Sequence, residues 1–120
     1  MRTTVQAQLP NAIFLVLGSE DPTLPDVDAE GLVWVSENAL IIGGTNDMDG
    51  ETIIHVSGQA PTGELIQLDR RMIQCPAGRL TLETVFGDNL LQYEVPVGSA
   101  KIGIWIDDLA EPGIVHLQVS

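Results

Sequence analysis

Residues 64–86, ELIQLDRRMIQCPAGRLTLETVF, constrain the fold more than any other stretch of the chain. Leu80, Leu82, Thr84 and Phe86 fall on one side of a two-residue period, with Arg79, Thr81 and Glu83 on the other. Side chains alternate across a strand, so a strand with one face in a core and the other in water has this pattern, and a helix does not. Pro76-Ala77-Gly78 supplies a tight turn, and the stretch is expected to be a hairpin of two strands. Its first arm changes phase. Ile66 and Leu68 face one side, whereas Ile73 and Cys75 lie on odd positions, and a β-bulge near residues 69–71 would restore the register.

The remaining segments follow the same logic. Residues 3–9 alternate weakly, with Val5, Ala7 and Leu9 on one side. Residues 12–17 are apolar on both faces, as a central strand requires. Residues 18–30 hold Pro22, Pro25 and five carboxylates and read as a long acidic loop. Residues 31–36 and 39–42 are two strands or one long bulged strand. Residues 52–57 form a strand with Ile54 and Val56 inward and His55 outward. In residues 90–95 Leu91, Tyr93 and Val95 face inward. In residues 100–107 Ile102, Ile104 and Ile106 share a face, and residues 114–119 make the last strand. No 3.6-residue period persists for twelve residues, and Pro-x-Gly turns recur at Pro61, Pro76 and Pro96. The expected fold is all-β: a single-domain antiparallel β-sandwich of about eight or nine strands with negligible helix.

Charge limits the function. Seventeen acidic residues face five basic ones, a formal net charge of −12. Phosphate affinity comes mainly from Lys and Arg, so neither nucleic acid nor an anionic membrane is expected as a partner. Basic surfaces, cations or simple solubility are what such a charge serves. A single cysteine excludes an internal disulfide and any zinc site built from cysteine pairs, which points to a cytoplasmic setting. The longest apolar run, residues 12–17, is too short to span a bilayer and lacks the flanks of a secretory signal.

No catalytic motif is present. His55 and His116, the only histidines, fall on polar-facing strand positions without a nucleophile elbow, and no catalytic residue or cofactor is expected. Cys75 before Pro76 reads as a buried, inert thiol. Asp47-Met48-Asp49-Gly50-Glu51 has part of a calcium-loop spacing, but Thr45 and Ser57 occupy the first and twelfth ligand positions. Asp49-Gly50 reads instead as a hairpin turn. Gly43-Gly44 lacks the Lys-Ser/Thr and the helix of a phosphate loop. Arg70-Arg71 point to opposite faces of a strand and make no patch. Trp105 opposes Ile102, Ile104 and Ile106 and is either exposed for an interface or covered by a second layer.

The strand ending in Cys75-Pro76-Ala77-Gly78-Arg79-Leu80, with Val95-Pro96-Val97-Gly98 before the strand over residues 101–106, resembles small bacterial β-sandwich proteins of the competence-protein-J type of nuclease inhibitor. The resemblance implies a non-enzymatic protein, some relatives of which inhibit a nuclease. The expected function is an acidic protein-binding module directed at a basic protein such as a nuclease. The expected partner-binding residues are Asp26, Asp28, Glu30, Asp47, Asp49, Glu51, Trp105, Asp107, Asp108 and Glu111, placed to imitate phosphates in a cationic cleft. A structural subunit that self-associates, as a homo-oligomer, is the alternative. The inhibitor reading is strongest if two of the three acidic regions, residues 20–30, 47–51 and 107–111, meet at one end of the fold.

Overall fold

A computed structural model describes residues 2–28 and 31–120. Among these residues ten strands form: β1 (Thr3–Ala7), β2 (Ile13–Leu17), β3 (Val33–Val35), β4 (Ala39–Gly43), β5 (Thr52–Ser57), β6 (Ile66–Cys75), β7 (Arg79–Thr84), β8 (Asn89–Glu94), β9 (Gly98–Ile106) and β10 (Ile114–Val119). One 3-10 turn, Pro10–Ala12, precedes β2. The strands make two five-stranded sheets, β1-β5-β10-β9-β6 and β3-β4-β2-β7-β8. The all-β expectation holds, with ten strands rather than eight or nine. The sheets are not wholly antiparallel, because β5 and β10 pair in parallel.

The two sheets close on a shared core. Ile54, Val56, Ile102, Ile104, Ile106, Val115 and Leu117 from the first meet Phe14, Val16, Leu40, Ile42, Leu80 and Leu82 from the second. Every one of these is inward in its strand's alternation, and all are fully buried. Such a core holds because apolar side chains leave water while backbone groups pair in the ladders.

Residues 64–86 form two strands, but not a hairpin. β6 pairs with β9 and β7 with β2 and β8, so the chain changes sheet at Pro76–Gly78. The Gly78 N–H closes this turn on the Cys75 carbonyl (3.0 Å), and Gly78 has φ +71°, a conformation costly for other residues. Period-two alternation shows which residues face the core; it carries no information on which sheet supplies the neighbours. The bulge in the first arm is present, at Gln67/Asp69. Phe86 does not point inward: β7 ends at Thr84, and Phe86 is exposed on the turn to β8. Residues 33–43 resolve into two antiparallel strands rather than one.

Registers fix two ends. At one, here the near end, β1, β4, β7 and β9 finish and the other strands begin. β2 and β3 therefore run in the same direction within one sheet, as do β5 and β6 within the other. Residues 18–28 and 58–65 therefore leave the far end and lead back toward the near end outside their own sheet.

The first crossing serves an apolar outer face. Leu15, Leu17, Ala39 and Ile41 form a second buried cluster there with Ile13 and Trp34, which is why β2 is apolar on both sides. Hydrogen bonds hold the crossing: Thr23 N–H to Asn38 Oδ1 (2.9 Å), the Ser36 hydroxyl to the Thr23 carbonyl, and Trp34 Nε1–H to Asp28 Oδ1 (3.1 Å).

Leu82 is fully buried against both sheets. Leu82→Ala is expected to cost about 2–5 kcal/mol through lost burial and the cavity left behind. An unchanged urea midpoint would contradict this packing.

Candidate functional site: the acidic near end

The loops at the near end are built largely from carboxylates. Residues 44–51 link β4 to β5, residues 85–88 link β7 to β8, and residues 107–113 link β9 to β10. Together they carry Asp47, Asp49, Glu51, Asp88, Asp107, Asp108 and Glu111. Two of the three acidic regions thus share an end and touch. The Asn46 N–H donates to Glu111 Oε1 (3.3 Å), and the Thr45 hydroxyl donates to the Pro112 carbonyl (2.9 Å).

These carboxylates divide by local role. Asp107 Oδ1 accepts from the N–H groups of Gly113 (2.9 Å) and Ile114 (3.0 Å), and Asp108 Oδ1 from Ala110 (2.7 Å) and Glu111 (3.2 Å). Asp and Asn side chains commonly organise turns in this way, and these two fold the β9–β10 turn. Asp47, Asp49 and Glu51 have no such duty, since Asn46 shapes their turn. Its side-chain oxygen accepts from Met48 N–H (2.9 Å) and its carbonyl from Asp49 N–H (2.8 Å). Asp49-Gly50 is therefore a turn between sheets rather than a hairpin loop. Among the described residues no group of three or more His, Cys, Asp or Glu could hold a metal ion.

No cation offsets this end. Arg2 precedes β1 at the far end, Arg79 opens β7 there, and the Lys101 backbone bonds that of Ser120. Arg70 and Arg71 lie midway along β6, and Arg71 Nε is paired with Asp69 at 2.9 Å. All five basic residues of the chain are thereby accounted for. Four apolar side chains also project from the near-end loops: Met48 (88% exposed), Phe86 (75%), Leu109 (59%) and, less fully, Val85 (38%).

The other expected residues are elsewhere. Asp26 and Asp28 lie in the crossing over the second sheet, where Asp28 bonds Trp34. Glu30 falls outside the described residues. Trp105 is half-buried on the outer face of the first sheet, stacked over Gly103, where a β-carbon would come within 2.6 Å of its ring. Asp88, Met48, Phe86 and Leu109 were missed by sequence reasoning. A lone carboxylate or apolar residue in a turn carries no local signal of what the other turns present.

His55 and His116 do face outward, but His116 is not exposed. At 4% exposure it is buried, with Nε2 3.0 Å from the Gln59 carbonyl of the 58–65 crossing and Trp105 edge-on at 6.3 Å. His55 Nδ1 is 2.8 Å from the Thr4 hydroxyl. Cys75 is fully buried, and burial raises its thiol pKa, consistent with an inert core residue. Gly43-Gly44 is a packing device: β-carbons there would press on Leu32, and on Leu9 and Thr52. An open groove of about 480 Å³ between the 18–28 crossing and the outer face of β7 is lined by Leu15, Leu17, Leu24, Thr81, Glu20 and Arg79 among others, with no histidine or cysteine.

No family model matches the chain, and no curated sequence is significantly similar to it. Solved structures share its fold. ComJ from Bacillus subtilis, an inhibitor of the DNA-degrading activity of NucA, superposes with a TM-score of 0.70 over 99% of this chain and 93% of its own, at 12% identity. The product described as crocagin biosynthetic gene J gives 0.52 over 98% and 97%, also at 12% identity. The chain resembles ComJ in fold, in line with the resemblance read from its turns. Identity this low carries the fold and not the function. No helix among the described residues is long and apolar enough to cross a membrane.

One pH dependence follows from the histidine face. Burial, then the Arg2 charge, then His116 lower the His55 pKa below its ordinary 6.5. A base with a depressed folded-state pKa contributes stability that is present above its unfolded pKa and lost as pH falls through the folded value. Wild type is expected to lose melting temperature relative to His55→Gln as pH drops from about 7 to 5. Parallel melting curves for the two proteins would remove the effect.

Proposed function

We propose that this protein is a non-enzymatic, inhibitor-type binding module whose near end docks against a basic protein, with a nuclease as the favoured class. The observation that carries the reading is the separation of charge: seven carboxylates and none of the five Lys or Arg residues among the near-end loops. Likeness of fold to an inhibitor of a DNA-degrading enzyme supports it. Carboxylates on turns can occupy the positions that phosphates would take in a cationic cleft. Asp47, Asp49 and Glu51 are the residues proposed to do so, because the turn does not need them; Asp107, Asp108 and Glu111 add to the same field. Asp26, Asp28 and Trp105 are set aside from the contact surface because they lie on outer faces.

Complementary charge acts chiefly on encounter, and exposed charges are screened over about 8 Å at physiological ionic strength. Met48, Phe86 and Leu109 supply apolar area that salt does not screen. Self-association through a sheet edge is less favoured for β6, since its bulge and the charges of Asp69, Arg70 and Arg71 are devices that discourage strand addition.

The test is capture from native cell extract at low salt, followed by binding kinetics on the identified protein. A basic partner is expected. Replacing Asp47, Asp49 and Glu51 with Asn, Asn and Gln should slow association by about tenfold or more while leaving the urea midpoint essentially unchanged. Equal association by the neutralised variant, or capture of only acidic proteins, would refute the reading. A large rise in melting temperature with calcium would favour an ion-binding role instead.

A further inference from the structure

The outer face of the first sheet holds a second arrangement, independent of the acidic end. His55 and His116 are directly paired in register across β5 and β10, so both side chains leave the same face side by side. Their ring centroids are 6.1 Å apart, with planes tilted by 51°. Both line a cleft of about 210 Å³ together with Arg2, Thr62 and Glu64.

Each ring is held through one nitrogen. His116 Nε2 faces the Gln59 carbonyl, which only accepts, so that nitrogen bears the proton and Nδ1 keeps its lone pair. His55 Nδ1 faces the Thr4 hydroxyl, which accepts or donates, and with Nδ1 as donor the lone pair is on Nε2. Neither remaining nitrogen has a protein partner among the described residues.

We propose that His55 and His116 form a two-histidine site for a divalent transition metal of the zinc class, with water completing the coordination and Glu64 acting through that water. Three observations carry this. First, the spacing is close. A metal about 2.0–2.1 Å from a ring nitrogen lies about 3.2 Å from the ring centroid, so two imidazoles on one tetrahedral ion stand roughly 5.2 Å apart. The observed 6.1 Å must shorten by about 0.9 Å, through rotation of the half-buried His55 ring. Second, both rings have an outer partner of the kind metal-bound histidine has: the Gln59 carbonyl fixes the orientation and tautomer of His116, and the Thr4 hydroxyl fixes the orientation of His55 and is compatible with the tautomer required. Third, the ligand set is soft enough to select. Imidazole suits zinc, copper and nickel, whereas manganese and calcium prefer oxygen ligands, which the near end supplies in abundance. No third His, Cys, Asp or Glu among the described residues is placed to join a direct set, which leaves positions open to water. Arg2 in the same cleft opposes a cation there.

The test is calorimetric titration of the full chain with zinc chloride at pH 7.5, with manganese as competitor, alongside NMR of the imidazole nitrogens. One equivalent of zinc is expected to bind, undisplaced by manganese, with shifts at His55 Nε2 and His116 Nδ1. His55→Ala should abolish binding, Thr4→Val should weaken it by about 10–100-fold, and Arg2→Gln should tighten it. His116→Ala removes a buried ring and risks unfolding, so the variants at half-buried His55 and exposed Thr4 decide the matter. Absence of zinc binding, retention of it in His55→Ala, or displacement by manganese would overturn the proposal.

Discussion

Strand direction is the constraint on which the rest of this structure depends. β2 and β3 run the same way in one sheet, and β5 and β6 do so in the other. A tight turn joins only antiparallel neighbours, so each pair needs a chain segment that travels the full length of the sheet on its outside. Those segments give each sheet material on its outer face as well as a core on its inner one. Over the second sheet the result is the apolar cluster of Leu15, Leu17, Ala39 and Ile41. Over the first it is a polar layer in which the Gln59 carbonyl meets His116 and Trp105 lies against Gly103.

The same topology sorts the charge. Links between the sheets alternate in position: β1–β2 and β4–β5 at the near end, β6–β7 and β8–β9 at the far end. Acidic turns fall among the near-end links and hairpins, while Arg2, Arg79 and Lys101 fall toward the far end. Repulsion among clustered carboxylates opposes compactness. Part of it is offset where Asp107 and Asp108 accept backbone N–H groups, since hydrogen bonds to charged acceptors are the stronger kind. Asp47, Asp49 and Glu51 have no such offset, which is why the proposed contact surface is centred on them.

By itself the sequence determined the fold class and much of the core. Two-residue alternation marked Ile54, Val56, Leu80, Leu82, Ile102, Ile104 and Ile106 as inward, and all are fully buried, because a strand's geometry leaves no other way to bury one face. The doubly apolar β2 was legible as a central strand, and the phase change in β6 as a bulge. The excess of carboxylates and the absence of a catalytic motif were equally plain. Only the tertiary structure decided which strands are neighbours, since backbone hydrogen bonds form alike within either sheet and a turn such as Pro76–Gly78 serves a hairpin or a sheet change. Phe86 and His116 show the consequence: one lies exposed beyond the end of its strand, and the other is buried because a distant segment crosses it. The meeting of the 44–51 and 107–113 turns, and the side-by-side histidines 61 positions apart in the chain, depend on long-range register, which no local pattern of residues encodes.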